Sequence, residues 1–301
     1  MLQIGDWDRI VLTGGSGFLG RRLRAALPSG TDVVEVVSPA RFASHQQVGT
    51  MSSASSTAAF AARLAGARSI LLLHLATRYV PSGAPCDIDE LLESNVMFPS
   101  RLVDAAASTD AYVRVVNPST IFQYYGASRD RPISLYAASK AAFREMLRGY
   151  GLTRGVHVAD LVLGDSFAVD DHRPKLIPHL LHCARSGDTA RLGSGRQRMS
   201  LMHADDVVQA MAHAADLPRG AFEGDECRTW LVGGATTVSV AELVVRVQDA
   251  FGGRPTCEFH PSRDRPHEMH HGLDALDLSS LPGFVASRSL DAFLHDVARR
   301  G

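Results

Sequence analysis

The sequence predicts an α/β protein with a doubly wound parallel sheet and a smaller C-terminal α/β lobe, and three observations support this fold class. Apolar, strand-like runs alternate with amphipathic helical patterns through the first 165 residues. A glycine-rich turn joins the first predicted strand to the first predicted helix. After Gly164 the elements become shorter, and Pro, Gly, Arg and His become denser. Alternation of strands and helices is typical of a parallel sheet that is covered by helices on both faces.

The predicted elements follow one another as strand and helix units. The first unit is a strand over 10–12, the glycine-rich turn, a helix over 18–27 and a second strand over 32–37. The next predicted strands lie over 69–75, 112–116 and 157–163. Predicted helices lie over 58–64, 88–107, 137–150, 176–186, 204–216 and 240–251.

Composition excludes several classes of protein. The 301-residue chain is 45% hydrophobic, which is enough for a large core, and 31 Lys and Arg nearly balance 32 Asp and Glu. It therefore lacks the net positive charge that is typical of nucleic-acid binders. The first apolar run begins at Ile10 and breaks at Gly14, so we expect a cytoplasmic protein with no signal or membrane segment. The four cysteines lack CxxC spacing and predict neither a zinc site nor disulfides.

The glycine-rich turn is the first functional signal. Residues 13–20 read TGGSGFLG, and the motif stands between a predicted strand and a predicted helix. Glycine permits positive φ in the turn, lets backbone N–H groups approach a pyrophosphate, and lets the helix pack closely on the strand. A plain tight turn is the structural alternative. The placement favours a Rossmann-type dinucleotide site formed by Gly14, Gly17, Phe18, Leu19 and Gly20.

The end of the second predicted strand bears on the choice of cofactor. NAD sites usually have Asp or Glu there, which bonds the adenosine ribose hydroxyls. This chain instead has Ser38, with Arg41 three residues later. A hydroxyl and a guanidinium can accept a 2′-phosphate, so the sequence favours NADP(H) over NAD. The alternative for Arg41 is a solvated loop residue.

A Tyr and Lys pair is the second functional signal. Tyr136 and Lys140 are four residues apart in a predicted helix, so both side chains lie on one helical face. A phenol with a pKa of about 10 is a poor acid at neutral pH, and lowering it by roughly three units needs about 4 kcal/mol. We expect Lys140 and a cationic nicotinamide ring to supply this stabilisation. Thr120, in a predicted loop after the strand over 112–116, can hydrogen-bond a substrate carbonyl.

Together these features resemble the extended short-chain dehydrogenase/reductases, also called the NAD-dependent epimerase/dehydratase family. The resemblance covers nearly the whole chain and includes, besides the glycine turn, HLAT at 74–77, Asn95, Thr120, Tyr136 with Lys140, KLIP at 175–178 and HADDV at 203–207. It implies that Thr120, Tyr136 and Lys140 form the catalytic triad and that Tyr136 and Lys140 also contact the cofactor. It further implies that Leu75, Ala76 and Thr77 bind the cofactor, with Asn95 in a supporting polar network.

This resemblance also implies a division of the chain. We expect an NAD(P)-binding Rossmann domain over 1–165 with a return segment near 202–219. The substrate lobe is expected over 166–201 and 220–301. By analogy with the family, the helices over 88–107 and 137–150 would pair in a homodimer.

A narrower similarity points to the bacterial NDP-4-keto-6-deoxyhexose reductases, the CDP-abequose synthase group among them. It rests on 74–77, on NPSTIFQYY at 117–125, on LYAASKAAF at 135–143 and on 173–175. It implies NADPH-dependent reduction of the C4 ketone of a dTDP- or CDP-linked 6-deoxyhexose in deoxysugar biosynthesis, with Tyr136 protonating the C4 oxygen.

Two other functions stay open beside this reductase. An NDP-sugar 4-epimerase would keep tightly bound NAD and turn over without added reductant. A non-catalytic dinucleotide sensor would not need the Tyr136 and Lys140 pair, which therefore counts against it. Ile121 and Phe122 stand where the 4,6-dehydratases of the family carry an Asp-Glu pair, so dehydratase activity is not expected.

Polar residues of the predicted smaller lobe are candidate contacts to the substrate. A diphosphate needs cationic donors, and Lys175 is best supported by the resemblance. Solvated surface arginines are the alternative for the other cations. The candidates are Ser166, Arg173, Lys175, Arg196, Arg198 and Arg265.

A histidine-rich loop could suggest a metal site. Its residues are His260, His267, Glu268, His270 and His271. Two of the histidines are adjacent and no ligand-type spacing is present, so the pattern favours a polar lid over a metal site.

Overall fold

The computed structural model describes residues 4–27, 32–36, 54–81, 83–128, 131–234, 236–265 and 267–300. Its strands are β1 (Arg9–Thr13), β2 (Val33–Val36), β3 (Ser69–His74), β4 (Tyr112–Thr120), β5 (His157–Leu163), β6 (Asp165–Phe167), β7 (Ala190–Leu192), β8 (Arg198–His203), β9 (Cys227–Leu231), β10 (Thr236–Ser239) and β11 (Cys257–Phe259).

The α-helices are distributed between these strands. They are α1 (Phe18–Ala26), α2 (Ala54–Leu64), α3 (Ile88–Leu92), α4 (Phe98–Ala107), α5 (Leu135–Arg154), α6 (Leu176–Ser186), α7 (Ala204–Ala215), α8 (Val240–Ala250) and α9 (Leu290–Arg299). No helix in the described ranges is long and apolar enough to cross a membrane.

Six parallel strands form the central sheet in the order β2-β1-β3-β4-β5-β9. The chain passes from β1 to β2 on one side and then returns to place β3 on the other side of β1. This reversal of direction opens a crevice at the carboxyl ends of β1 and β3, which is where doubly wound sheets bind ligands. Thr13 and His74 are the last residues of these two strands. The Rossmann-type fold class is confirmed.

Helices cover both faces of this sheet because neighbouring strand residues point to opposite sides. Leu71 of β3 lies in one apolar cluster with Met211 of α7. Leu72, the next residue, lies in a second cluster with Phe98 of α4 and Phe143 of α5. Both faces are therefore buried, which explains why the strands read as nearly continuous apolar runs.

The smaller lobe packs around its own core. β6 pairs in parallel with β8, and β8 pairs antiparallel with β10. Leu180 of α6, Leu243 of α8 and Leu294 of α9 share one buried cluster beside this three-stranded sheet. The return segment that the sequence analysis placed near 202–219 contains α7, which packs on α1 and on β4 and β5 of the central sheet.

One boundary differs from the sequence-based expectation. β9 lies within the range 220–301 that was assigned to the substrate lobe, but it pairs in parallel with β5 as the sixth strand of the central sheet. The periodicity of a five-residue strand does not reveal which sheet accepts it, because that depends on pairing with a strand about 70 residues earlier in the chain.

Two further elements differ in ways that affect the site. The helix predicted over 88–107 is interrupted by a π-helical segment, Glu93–Met97, between α3 and α4. The residues predicted as a loop after Val116 instead continue β4 to Thr120, because they pair with β5 as far as Leu163. The helix predicted over 137–150 begins at Leu135, where the Ser134 side chain caps it by accepting a hydrogen bond from the Ala137 N–H.

Candidate active site

The glycine-rich turn lies at the crevice between β1 and β3. Gly14 has a φ of 69°, and a Cβ there would stand 2.6 Å from the Ala76 nitrogen. A Cβ on Gly20 would overlap the carbonyl oxygen of Gly14. Gly17 is the N-cap of α1, and no side chain caps the helix there. The free helix N-terminus and the space that only glycine leaves fit a dinucleotide pyrophosphate.

Thr13 holds the segment after β3, which lies across this crevice from the glycine-rich turn. Its hydroxyl oxygen accepts hydrogen bonds from the backbone N–H groups of Leu75 and Ala76, both at 3.1 Å, and lies 2.8 Å from His74 Nδ1. The side chain thus joins the carboxyl ends of β1 and β3 and holds the segment that the resemblance assigns to the cofactor. Sequence reasoning gave Thr13 no role of its own, since its partners lie about 60 residues away.

The residues that favoured NADP, Ser38 and Arg41, lie outside the described residues. At the described end of β2, Glu35 pairs with Arg24 at 3.1 Å, and its Oε2 would lie 3.4 Å from a Cβ on Gly15. A carboxylate beside this turn is the kind of group that bonds ribose hydroxyls in NAD sites. Glu35 and Arg41 therefore favour opposite cofactors.

The catalytic candidates meet at the carboxyl edge of β4 and the start of α5. Thr120 ends β4, is buried, and accepts a hydrogen bond from the Phe122 N–H at 3.3 Å. Tyr136 lies in the first turn of α5, where its ring packs edge to face against Tyr79 with centroids 5.0 Å apart. Ser134, which caps α5, and Phe122, which follows β4, line the same cavity as Tyr79. Tyr136 therefore lies next to this cavity through its contact with Tyr79, and Thr120 comes two residues before Phe122 in the cavity wall.

The surroundings of Tyr136 favour its protonated form. Burial raises the pKa of Tyr136 to about 12, with Tyr79 and Asp165 adding to the rise and a hydrogen bond with the Thr77 side chain opposing it. The expectation that Lys140 and a cationic nicotinamide ring together lower this pKa stays a prediction. Lys140 lies one turn further along α5, and its charge also acts on His74 and Asp160.

Lys140 lies deep beneath the sheet edge. Its side chain is 4% exposed, and burial lowers its pKa to about 8 while Asp160 opposes that fall. His74 is also buried, and burial together with the Lys140 charge keeps its pKa well below the usual value. His74 is therefore a neutral imidazole beside an ammonium group.

Asn95, in the π-helical segment, hydrogen-bonds both the segment after β3 and helix α5. Its Oδ1 accepts from the Arg78 N–H at 2.7 Å and from the Thr77 hydroxyl at 3.2 Å. Its Nδ2 donates to the Arg78 carbonyl at 3.0 Å and to Ser139 Oγ at 2.9 Å. Ser139 in turn donates to the Tyr136 carbonyl at 2.8 Å. The π-helical segment thus positions the Asn95 side-chain amide so that both its oxygen and its nitrogen are hydrogen-bonded, and Ser139 links it to the Tyr136 carbonyl. This is the kind of polar network that the resemblance implies for Asn95.

Replacing Asn95 with alanine is expected to lower the free energy of unfolding by about 2–4 kcal/mol, because buried groups around it lose their partners. Urea unfolding of the variant, with Asn95→Asp as the milder comparison, measures this. Asn95→Asp keeps both accepted hydrogen bonds and loses the donated ones. An alanine variant as stable as the unmodified chain would contradict the assigned network.

The cavity beside Tyr136 has an apolar wall and a charged rim. Tyr79, Phe122, Ile133 and Met269 supply apolar surface. Arg265 and Glu268 lie at the same cavity, and Glu268 Oε1 accepts from the Arg265 N–H at 3.1 Å. Such a cavity suits a ligand that is apolar at one end and anionic at the other.

The predicted cationic contacts to a diphosphate fall into two groups. Lys175 is ion-paired with Asp165 at 2.6 Å. Arg173 is ion-paired with Asp171 at 2.7 Å and stacks on Phe18 at 4.0 Å. By contrast, no carboxylate of the described chain pairs with the guanidinium groups of Arg198 or Arg265.

The remaining two candidates differ in their environment. Arg196 is largely exposed and its guanidinium lies 3.8 Å from the Asp264 carboxylate. Ser166 accepts hydrogen bonds from Arg173 through its carbonyl at 2.9 Å and its hydroxyl at 3.2 Å. Ser166 and Arg173 therefore join the smaller lobe to the glycine turn through Phe18, whereas Arg265 is the candidate that lines the cavity.

The histidine-rich loop packs beside the same cavity. The Ala127 N–H donates to His271 Nε2 at 3.0 Å, and the His267 ring packs on Tyr125 at 5.6 Å. Over the ranges that the structure covers, no group of three or more His, Cys, Asp or Glu side chains could hold a metal ion.

Comparisons with known proteins identify the family of this chain. The family model described as NAD dependent epimerase/dehydratase matches residues 10–233. CDP-abequose synthase of Yersinia pseudotuberculosis is 24% identical over 220 residues, which are 72% of this chain and 76% of that protein.

Solved structures give the same fold. MoeE5 in complex with UDP-glucose and NAD matches with a TM-score of 0.76 at 23% identity, over 97% of this chain and 99% of that chain. UDP-N-acetylglucosamine 4-epimerase from Methanobrevibacter ruminantium M1, in complex with UDP-N-acetylmuramic acid, matches with a TM-score of 0.76 at 17% identity, over 98% and 97% of the two chains.

Proposed function

The chain belongs to the NAD dependent epimerase/dehydratase family, and we propose that it reduces the C4 ketone of a dTDP- or CDP-linked 4-keto-6-deoxyhexose with NADPH. The observation that carries this proposal is the contact of the Tyr136 ring with Tyr79, which lines a cavity with an apolar wall. Tyr79, Phe122 and Ile133 offer the C6 methyl group of a deoxysugar an apolar surface, where a hydroxymethyl or carboxylate group would lose its hydration.

The chemistry needs a hydride donor and a proton donor on either side of the ketone. The reduced nicotinamide supplies the hydride when it is bound. Tyr136, whose pKa is raised to about 12, stays protonated at neutral pH and can give its proton to the C4 oxygen. Thr120 orients that oxygen through a hydrogen bond. The phenolate that remains on Tyr136 regains a proton from solvent before the next turnover.

An NDP-sugar 4-epimerase is the second candidate, because the cavity contains no residue that excludes it and an epimerase is among the matching structures. The two activities differ in how they use the cofactor. A reductase consumes NADPH stoichiometrically with product, whereas an epimerase regenerates its cofactor in each cycle.

The deciding experiment follows nicotinamide absorbance with purified protein and a dTDP-4-keto-6-deoxyhexose. NADPH and NADH are compared directly because Glu35 and Arg41 favour opposite cofactors. Faster consumption of NADPH supports the proposed reductase. Absence of consumption, together with NAD released on denaturing the purified protein, would replace the reductase with the epimerase.

Arg265 is proposed as the main cation for the substrate diphosphate, because it lines the cavity and no described carboxylate neutralises it. Arg265→Ala is expected to raise KM for the nucleotide sugar by roughly 10- to 100-fold with a smaller change in kcat. Arg196→Ala is the matched control, since Arg196 is exposed beside Asp264, and it should change KM by less than about threefold. Equal effects of the two substitutions would contradict this assignment.

A homodimer through α3, α4 and α5 stays a prediction. The apolar side chains that support it are exposed in the single chain, on these helices and on the π-helical segment between α3 and α4, and they include Ile88, Met97, Met146 and Leu152.

A further inference from the structure

A belt of polar side chains crosses the sheet face that α5 covers. Asn117 of β4, Asp160 of β5 and Thr229 of β9 are direct neighbours in the parallel register, and we call these three residues the polar belt. On the same face of β5, Val158 and Val162 belong to two different apolar clusters. The polar belt therefore separates two parts of the core, and Asp160 is its one ionisable member.

Two buried cations of α5, Lys140 and Arg144, lie on the side of the helix that faces the sheet. Lys140 follows Tyr136 by four residues and Arg144 follows Lys140 by four, so the three side chains share one helical face. Lys140 and Arg144 are each 4% exposed. Burial raises the pKa of Asp160, whereas the hydrogen bond from Asn117 and the charges of Arg144 and Lys140 lower it. α5 packs on β4 and β5, and Phe143 and Leu147 of α5 share an apolar cluster with Val158, so the two buried cations lie on the sheet face that carries Asp160.

The other charged and titratable groups around Lys140 do not replace Asp160. His74 approaches from β3 and is neutral. Glu145 pairs with Arg144 at 3.3 Å from the exposed side of α5. Cys227 on β9 stays a thiol, because burial and the Asp160 charge raise its pKa to about 12. Asp160 is the carboxylate that opposes the effect of burial on Lys140.

Hydrogen bonding fixes the Asp160 carboxylate from one side. Asn117 Nδ2 donates to Asp160 Oδ1 at 2.6 Å. Asp160 Oδ2 is buried and has no hydrogen bond of normal geometry in the part of the chain that the structure covers, although the nearby Ser119 hydroxyl helps to lower the pKa of Asp160. A buried carboxylate with an unpaired oxygen costs stability, so its presence beneath the reacting end of α5 calls for a functional reason.

We propose that Asp160 is a positioning residue for the reaction, which acts as the buried counter-charge that keeps the Lys140 side chain protonated beneath Tyr136. A protonated Lys140 stabilises the phenolate that forms on Tyr136 when the proton leaves. Without Asp160, Lys140 would lose its proton at neutral pH because burial disfavours its charge. The effect on turnover rests on the proposed reductase function, whereas the charge state of Lys140 does not.

Lysine NMR tests this directly, because Lys140 and Lys175 are the two lysines of the chain. Protein labelled with ¹³C at lysine Cε gives two side-chain signals, and Lys175→Arg identifies the one from Lys140. In the unmodified chain we expect the Lys140 signal to titrate with a pKa of about 8. In Asp160→Asn we expect the midpoint to fall by at least about one pH unit, a tenfold loss of proton affinity.

Two further variants make the result specific. Asn117→Asp combined with Asp160→Asn moves the carboxylate to the neighbouring strand position, and the Lys140 midpoint should return to within about half a unit of the original. Asp165→Asn removes a carboxylate that pairs with Lys175, and it should leave the Lys140 midpoint unchanged. If Asp160→Asn does not fold, the double variant Asn117→Asp with Asp160→Asn provides the decisive comparison. Failure of the double variant to fold, or to restore the Lys140 midpoint, would overturn the proposal.

Activity gives an independent second measurement. With a ketone substrate, the basic limb of the kcat profile in Asp160→Asn should move to lower pH together with the Lys140 midpoint. A loss of kcat that is equal at every pH, with an unchanged Lys140 midpoint, would show that Asp160 has a structural role only. If the protein reduces no ketone, the NMR titrations still decide the role of Asp160.

Discussion

Tyr136→Phe is expected to lower kcat for ketone reduction by at least roughly 10³-fold, while NADPH binds within about twofold of its original affinity. The substitution removes the proton donor of the proposed reduction. The phenylalanine ring keeps the edge-to-face contact with Tyr79, so the cavity retains its shape. Stopped-flow or steady-state absorbance of NADPH, together with a fluorescence titration of NADPH binding, measures both quantities.

Tyr79→Phe is the matched control for this experiment. Tyr79 lines the cavity and contacts the Tyr136 ring edge to face, but it is about half exposed. Hydrogen bonds from Asn95 reach Tyr136 through Ser139 and do not include Tyr79. We expect less than a tenfold change in kcat. If Tyr136→Phe retained more than about a tenth of the original kcat, or if Tyr79→Phe were the more damaging change, Tyr136 would not be the proton donor.

The pH dependence of reduction follows from the same groups. Tyr136 has a raised pKa, so it is a protonated acid throughout the neutral range. Lys140 has a lowered pKa of about 8, so its charge is present below that pH and disappears above it. Reduction should therefore decline as the pH rises through the Lys140 pKa.

Gly20→Ala is expected to lower NADPH affinity by at least roughly 100-fold and to lower the melting temperature by several degrees. Alanine has the higher helix propensity, by about 1 kcal/mol, so the substitution would stabilise an isolated α1. In the folded chain its Cβ would overlap the Gly14 carbonyl oxygen and stand 2.8 Å from Gly15 Cα. The steric conflict falls on the turn that we propose to hold the pyrophosphate, and relieving it must move α1 away from β1.

Gly149→Ala provides the opposite control. Gly149 lies on the exposed side of α5, and no atom stands within 4 Å of a Cβ placed there. This substitution should raise the free energy of unfolding by up to about 1 kcal/mol and leave NADPH binding unchanged. Thermal melts and NADPH titrations of Gly20→Ala and Gly149→Ala distinguish the effect of alanine on helix propensity from its steric effect on the glycine turn. A Gly20→Ala protein with normal NADPH affinity would contradict the assigned turn.

Local patterns in the sequence determined much of this protein. The alternation of strands and helices, the glycine turn at 13–20 and the spacing of Tyr136 and Lys140 depend only on residues that are close in the chain. Backbone sterics and the helical period connect such patterns to structure without knowledge of the remaining fold. The fold class, the family and the position of the catalytic helix could therefore be predicted.

Pairings between distant residues were decided only by the tertiary structure. β9 joined the central sheet because its register matches β5, and that register placed Asp160 between Asn117 and Thr229. Lys175 was neutralised by Asp165, whereas Arg265 reached the cavity without an ion pair from a described carboxylate. The sequence determines which charges exist, but burial and distance determine which of them are free to act, and both arise only when the strands and helices have packed.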